Sequence, residues 1–367
     1  MPEINLEEIN KHIANRQDVF YWQTDRLIEP AEAGTIWSDR HRYFNDAELF
    51  EKVGSVLESD KLVSIKPMEP SDQTNLSSVN SVRTGQLASG KEVIIRCHPK
   101  GVANGYFHAE AEAAHMAKEA GLPSYETIAV HDFETKNDFA FQVIEKLPGT
   151  VIERWIENHP EDEEKLLIQI GMNLAKLHQI NVNGFGPFDN EKAKSGELVG
   201  LHGTFTEAIR AGLPFNLDVL TKKGLITKEQ SVAIDKLFSE DNQLLKLPQA
   251  VLVHNDFPDW NLLTDGEKVT GILDWDECVA GDPISDIACW STFFKPERLN
   301  KFLEGYWQVA NKPEDFQEKF ELLRLRYTIS KMTLRLRRQS WEPSEFIANL
   351  IEVGKKHLDQ SFEHFGI

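Results

Sequence analysis

The chain is poor in cysteine, with Cys97, Cys278 and Cys289 the only three in 367 residues. Three thiols at these spacings build neither a disulfide framework nor a zinc site, so they read as buried thiols in a reducing compartment. Positive charge is also short: 40 Lys and Arg stand against 59 Asp and Glu, a formal net charge of −19. Phosphate backbones are held by clustered cations, so this balance argues against a nucleic-acid partner and suits a cationic small molecule. No run approaches the roughly 18 apolar residues of a membrane-spanning helix. The opening Met1-Pro2-Glu3-Ile4-Asn5-Leu6-Glu7-Glu8 has no apolar leader pattern, so the reading is cytoplasmic with no membrane partner. Internal repeats and low-complexity tracts are missing too. What is present, 41% hydrophobic and 10% aromatic residues, is enough for a packed core and excludes disorder for most of the chain.

Three regions differ in character. Residues 1–55 are mixed and charged, with helical stripes at Ile4, Leu6, Ile9 and Ile13 and again at Leu49, Val53 and Leu57. They read as a helical N-terminal extension. Residues 56–148 carry short β-branched runs, LVSIKPME and KEVIIRCH, with Ser89-Gly90 as the turn of a hairpin over 79–97. An Ala-rich helix, FHAEAEAAHMAKEAGLP, follows and stops at Gly121 and Pro123. Two more strands, in ETIAVHDFE and DFAFQVIEKL, complete a small antiparallel lobe. Residues 149–367 are mainly helical, with a β-rich island at 250–274.

The island carries the chemistry. A buried strand, Val251-Leu252-Val253, leads into a loop with His254, Asp256 and Asn261. The Asp265-Gly266 turn then lies between two apolar arms and predicts a hairpin. A hairpin brings its ends together, so Asn261 and Asp274 should meet with Asp256 beside them. Three such oxygen-bearing side chains suit a hard cation that shares its shell with substrate phosphates. Asp256 is also placed to take a proton from a hydroxyl nucleophile.

His254-x-Asp256-x4-Asn261 followed by Asp274 resembles the catalytic loop and metal-binding Asp of the protein-kinase-like superfamily. With ILDWDE and then GDPISDIA, the segment is similar to the aminoglycoside phosphotransferase family, and NGFGPF at 183–188 is similar to hygromycin B phosphotransferases. The resemblance covers about residues 65–300 and is strongest over 251–290. It implies an α+β, bilobal protein-kinase-like fold, with a small antiparallel β-sheet lobe and a larger, mainly helical lobe, and ATP and Mg²⁺ in the cleft. The implied activity is phosphoryl transfer to a small-molecule hydroxyl acceptor. Asp256 would be the catalytic base. Asn261 and Asp274 would hold Mg²⁺. His254 and Asp286 would support the loop.

In the small lobe the resemblance implies a phosphate-covering turn at 77–82, with Ser78 and Asn80 as donors in place of glycine. It also implies a strand cation, Arg96, where protein kinases have Lys, and a helix partner, Glu110, with Glu112 second. Adenine would lie on the strand end that includes Glu145 and Leu147. Two departures sit in the catalytic loop: Asn255 where Gly is common, and Asp259-Trp260 where small residues are common. Asp259, Asp276 and Glu277 add acidity there.

Blander readings stand beside these. Asp and Asn favour turns whatever else they do, and Asp286 suits a helix first turn. The segment LRLRYTISKMTLRLRR at 323–338 has Leu325, Ile329, Met332 and Leu336 on one face, so its arginines read as the solvated side of an amphipathic helix. GFGPF lacks the rest of a dinucleotide pattern and reads as a loop. Three functions therefore stand: phosphorylation of an aminoglycoside-type antibiotic, phosphorylation of a metabolite alcohol (choline, a sugar or a homoserine-like compound), or nucleotide binding by a pseudoenzyme.

Overall fold

The short β-branched runs zip into one antiparallel sheet. In the computed structural model, which describes residues 45–68, 80–98, 106–132, 138, 140–341 and 343–367, the strands are β1 (Leu62–Pro67), β2 (Ser81–Leu87), β3 (Glu92–Cys97), β4 (Thr127–His131) and β5 (Phe141–Glu145). Their order is β1-β2-β3-β5-β4. Gly90, at φ 87°, makes the β2–β3 turn, which a side chain would strain. The period-2 alternation of β3 does the positioning. Val93, Ile95 and Cys97 point into a core with Phe141 and Val143, so Arg96 points to the other face, opposite Gln142 of β5.

Helix α1 (Asp46–Val56) is started by Asn45, whose side chain accepts from the N–H groups of Ala47 and Glu48. Its Leu49 and Val53 belong to that same sheet core, and Arg83 of β2 donates to Asp46 at 2.8 Å. This stretch is thus part of the small lobe's packing. The helical stripe expected near Ile4–Ile13 lies outside the described residues.

Helix α2 (Phe107–Glu119) runs between β3 and β4. Alanines 109, 113, 114 and 117 let it approach closely, and they join the core of the C-terminal half. That half begins with β6 (Thr150–Val151), α3 (Ile152–Asn158) and α4 (Glu163–Leu177). It continues through β7 (Asn181–Val182), β8 (Phe185–Phe188), α5 (Asn190–Ala193), β9 (Gly200–His202), α6 (Phe205–Arg210), α7 (Leu213–Lys222) and α8 (Lys228–Leu237). The island supplies β10 (Ala250–Val253), β11 (Leu262–Thr264), β12 (Val269–Ile272) and β13 (Val279–Gly281). Helices α9 (Ile284–Ser291), α10 (Pro296–Tyr306), α11 (Phe316–Trp341) and α12 (Glu345–Phe365) complete the chain. Two sheets organise it, ordered β7-β10-β13-β8-β9 and β12-β11-β6. The GFGPF stretch is strand β8, paired with β13 and β9.

Two sequence expectations are overturned here: GFGPF was read as a loop and is instead largely strand β8, and the polar face of α11 was read as solvated. The arginines of α11 are not its solvated side: Arg326, Arg335 and Arg337 are 8%, 6% and 7% exposed. Arg326 donates to the carbonyls of Ile209 and Ala211 and to Asn216, so a buried guanidinium is satisfied by helix-end carbonyls rather than by water.

Candidate active site

Strand β10 delivers the loop 254–261, and its shape is set by backbone hydrogen bonds. Asp286, in the first turn of α9, accepts from the N–H of His254 at 2.8 Å and of Asn255 at 2.6 Å. It also faces Nε2 of His178 at 3.0 Å, and His178 Nδ1 in turn meets the Tyr306 hydroxyl at 2.7 Å. Asn255 takes φ 67°, a left-handed conformation that Asn tolerates better than most side chains. This is why Asn can replace Gly there. Its side chain accepts a hydrogen bond from the Tyr327 hydroxyl, and its carbonyl one from the Cys289 thiol.

His254 is fully buried between Trp275 and Phe257. Burial lowers its pKa and keeps the ring neutral. Nε2 lies 2.9 Å from the Leu273 carbonyl, and Nδ1 accepts from the Asp256 N–H at 3.3 Å. The ring therefore links the loop to the end of the β11–β12 hairpin.

The hairpin forms as its turn predicts, with Leu262 opposite Ile272. Beyond that pair the Leu273 N–H donates to the Asn261 carbonyl at 2.8 Å, which sets Asn261 beside Asp274. Asn261 Nδ2 donates to the Asp256 carbonyl and to Asp256 Oδ2, both at 3.0 Å. Its amide oxygen is thereby turned away from Asp256. Asp274 adopts φ 62°, and Arg96 Nη2 reaches its Oδ1 at 2.6 Å. On its other side Arg96 pairs with Glu110, which accepts from the Tyr125 hydroxyl at 2.6 Å. Arg96, Glu110, Asp256, Asn261 and Asp274 thus converge from β3, α2, the loop after β10 and the end of β12.

Among the described residues no group of three or more His, Cys, Asp or Glu side chains is spaced to hold a metal ion. The donor set that is present, one amide oxygen and one carboxylate with a second oxygen not used by Arg96, fits a hard cation that takes its remaining ligands from phosphates and water.

Lys331 of α11 was not among the residues read from sequence. Its Nζ lies 3.9 Å from Asp256 Oδ1 and 3.2 Å from Glu277 Oε2. Desolvation raises the Asp256 pKa first of all, and the Lys331 charge opposes that rise. Tyr125, His178 and Tyr327 were likewise missed, since a lone Tyr or His carries no spacing signal. The acidity expected near the loop is largely answered by cations: Arg298 of α10 meets Asp259 at 2.5 Å, and Lys331 meets Glu277. Trp260 packs edge-on to Phe293 at 5.2 Å.

Of the nucleotide-site candidates, Ser78 lies outside the described residues. Asn80 is buried, with Nδ2 at 3.5 Å from the Tyr106 hydroxyl. The Glu145 carboxylate is held by Lys118 at 2.8 Å, and its N–H donates to the Glu126 carbonyl at 2.9 Å. Leu147 lies against Gly271.

Comparison with known proteins bears on the fold and the family. The uncharacterized protein YcbJ of Bacillus subtilis (strain 168) is 30% identical over 93 residues, 25% of this chain and 30% of YcbJ, so the match spans less than a third of that relative's length. Among solved structures, a candidate fructosamine-3-kinase from Thermobifida fusca YX-ER1 superposes with a TM-score of 0.57 at 17% identity, covering 85% of this chain and 98% of that one. A thermostable mutant of aminoglycoside phosphotransferase APH(4)-Ia gives 0.58 at 18%, covering 87% and 99%. A further variant of it, in ternary complex with AMP-PNP and hygromycin B, gives 0.56 at 18%, covering 85% and 98%. These neighbours share the protein-kinase-like fold. The family model of the phosphotransferase enzyme family (APH) matches residues 72–326, and the chain belongs to that family.

Proposed function

We propose that the protein transfers the γ-phosphoryl group of ATP to a hydroxyl of a small molecule. The observation that carries this reading is the meeting of Asp256, Asn261 and Asp274 beside the buried Arg96–Glu110 pair. Asp256 orients the acceptor hydroxyl and takes its proton. Its raised pKa brings it nearer to working pH, where a general base is most effective. Asn261 and Asp274 are the residues to hold Mg²⁺, which when bound offsets charge on the phosphates. Arg96, fixed by Glu110, offers a planar fork to phosphate oxygens. The Glu145 N–H is already used within the sheet, so adenine recognition falls to the other backbone groups of the strand end 145–147. His254 and Asp286 do no chemistry in this reading: their hydrogen bonds hold the loop, and Asp286 is itself held by His178.

The acceptor has two readings. The neighbour with hygromycin B supports an aminoglycoside-type antibiotic. The cation Lys331 beside Asp256 favours a metabolite alcohol, because a polycationic acceptor would meet like charge there. The intact set of Asp256, Asn261 and Asp274 argues against a pseudoenzyme. Among the described residues no helix is long and apolar enough to cross a membrane. The test is a coupled ADP-release assay over a panel of hydroxyl acceptors. Asp256→Ala and Asp274→Ala should each abolish turnover while circular dichroism shows an intact fold. Full activity in both variants would end the assignment.

A further inference from the structure

We infer that the acceptor carries an oxyanion, a carboxylate or a phosphate, received by Arg335 and Lys331 of α11. The inference rests on the phosphotransferase reading above and narrows its acceptor class.

Arg335 is 6% exposed, yet it has no carboxylate partner among the described residues. Its Nη1 donates to the Leu350 carbonyl at 3.1 Å, and its Nη2 is buried with no acceptor. Three other buried or half-buried arginines are provided for: Arg96 has two carboxylates, Arg298 has two, and Arg326 has three oxygen acceptors. A buried charge without a counter-charge is strongly unfavourable, so such a group is expected to find an anion in the working protein.

The position says which anion. Arg335 lies one helical turn beyond Lys331, on the same face. The two cations share one aromatic ring: Lys331 Nζ is 5.7 Å and Arg335 Cζ 5.8 Å from the Phe293 centroid. Phe293 also carries Trp260 of the catalytic loop, and Lys331 faces Asp256. The Asp256 carboxylate is close enough for its charge to act on Arg335. An acceptor whose hydroxyl sits at Asp256 therefore has two cations nearby, of which Lys331 is shared with Glu277 and Arg335 has no carboxylate of its own among the described residues.

The α11–α12 seam continues the pattern. The Arg335–Leu350 contact and the packing of Gly354 on Met332 fix an antiparallel register. In that register Thr328 falls opposite His357 and Arg324 opposite Ser361. Thr328 Oγ1, His357 Nδ1, Arg324 Nε and Ser361 Oγ are all buried without hydrogen-bond partners.

The test uses the full chain in saturating MgADP, so that the nucleotide site is filled. MgADP alone should raise the melting temperature; if it does not, the phosphotransferase reading fails and the anion site is judged separately by the next step. Inorganic phosphate, acetate, glycerol and ethanolamine are then added in turn. Phosphate or acetate should raise the melting temperature by about 2 °C or more, and whichever acts identifies the kind of oxyanion. Glycerol and ethanolamine should not. Arg335→Met should melt no lower than the unsubstituted protein without anion, and its anion response should vanish; Arg335→Lys should restore part of it. The inference is overturned if no oxyanion acts, if ethanolamine acts as strongly, or if Arg335→Met keeps the full response.

Discussion

Arg96 is pinned between two carboxylates with different surroundings. Glu110 is 1% exposed and cannot reach water, whereas the Asp274 side chain is 41% exposed. Removing the cation leaves Glu110 as an uncompensated buried charge, which typically lowers stability by about 3–5 kcal/mol. Arg96→Met should therefore destabilise strongly in denaturant titration and lose ATP turnover. Adding Glu110→Leu should recover most of the stability and none of the turnover, because the buried pair is replaceable by packed hydrocarbon and its chemistry is not. If the double variant regains activity, Arg96 is only a structural ion. Arg96 itself was legible only through the family resemblance, as the cation on the strand after the hairpin turn; which face of β3 it takes comes from the structure. Its grip on Asp274 was not legible, because the two are 178 positions apart and only the fold brings them together. The same limit hid Lys331 and Tyr327, which reach the catalytic loop from a helix read only for its apolar face.

Helices α4 and α10 cross through a pair of glycines. A Cβ at Gly171 would overlap the Phe302 carbonyl, and one at Gly305 would overlap the Ile168 carbonyl. The obstacle in each case is backbone, which cannot swing aside as a side chain can. Gly171→Ala should cost about 1–3 kcal/mol or more despite its gain in helix propensity; a thermal melt that shows stabilisation would contradict this packing. Farther along, α11 and α12 enclose His357. Burial, then the charges of Arg324 and Arg335, lower its pKa from 6.5 to about 4. As pH falls, the unfolded chain takes up this proton first. The contribution to stability is full above pH 6.5, is lost between 6.5 and about 4, and is level below that. His357→Leu should flatten the fall over that window in denaturant midpoints measured against pH, and an unchanged slope would refute it. Periodicity placed α11 correctly as a helix. It could not tell a face turned to water from one lined by carbonyls and another helix, because both accept arginine.

At the scale of the whole molecule, net charge does not by itself describe the site. A formal charge of −19 suggested an acidic reception for a cation, but Asp259 and Glu277 are answered locally by Arg298 and Lys331. Charge summed along a chain says little about the field in one cleft, which is set by neighbours within a Debye length. The division at residue 148 was read from the change of pattern; the last strand of the β1–β5 sheet ends at Glu145. The packing, however, crosses it. Ala109, Ala113, Ala114, Ala117 and Tyr125 lie in one continuous core with Leu174, Trp275 and Ile287. The Ile272 N–H donates to the Pro123 carbonyl at 2.7 Å, and Thr270 Oγ1 donates to the Pro148 carbonyl at 2.7 Å. A fragment of residues 149–367 would expose the apolar surface that α2 covers and leave those donors to solvent. It should show helical far-ultraviolet dichroism without a cooperative melt or dispersed amide resonances. Co-expression with residues 1–148 should restore both, since the missing surface returns as a folded partner. A fragment of 149–367 that melts cooperatively by itself would mean that α2 caps a core already complete, and that the two halves meet only as neighbours around the cleft.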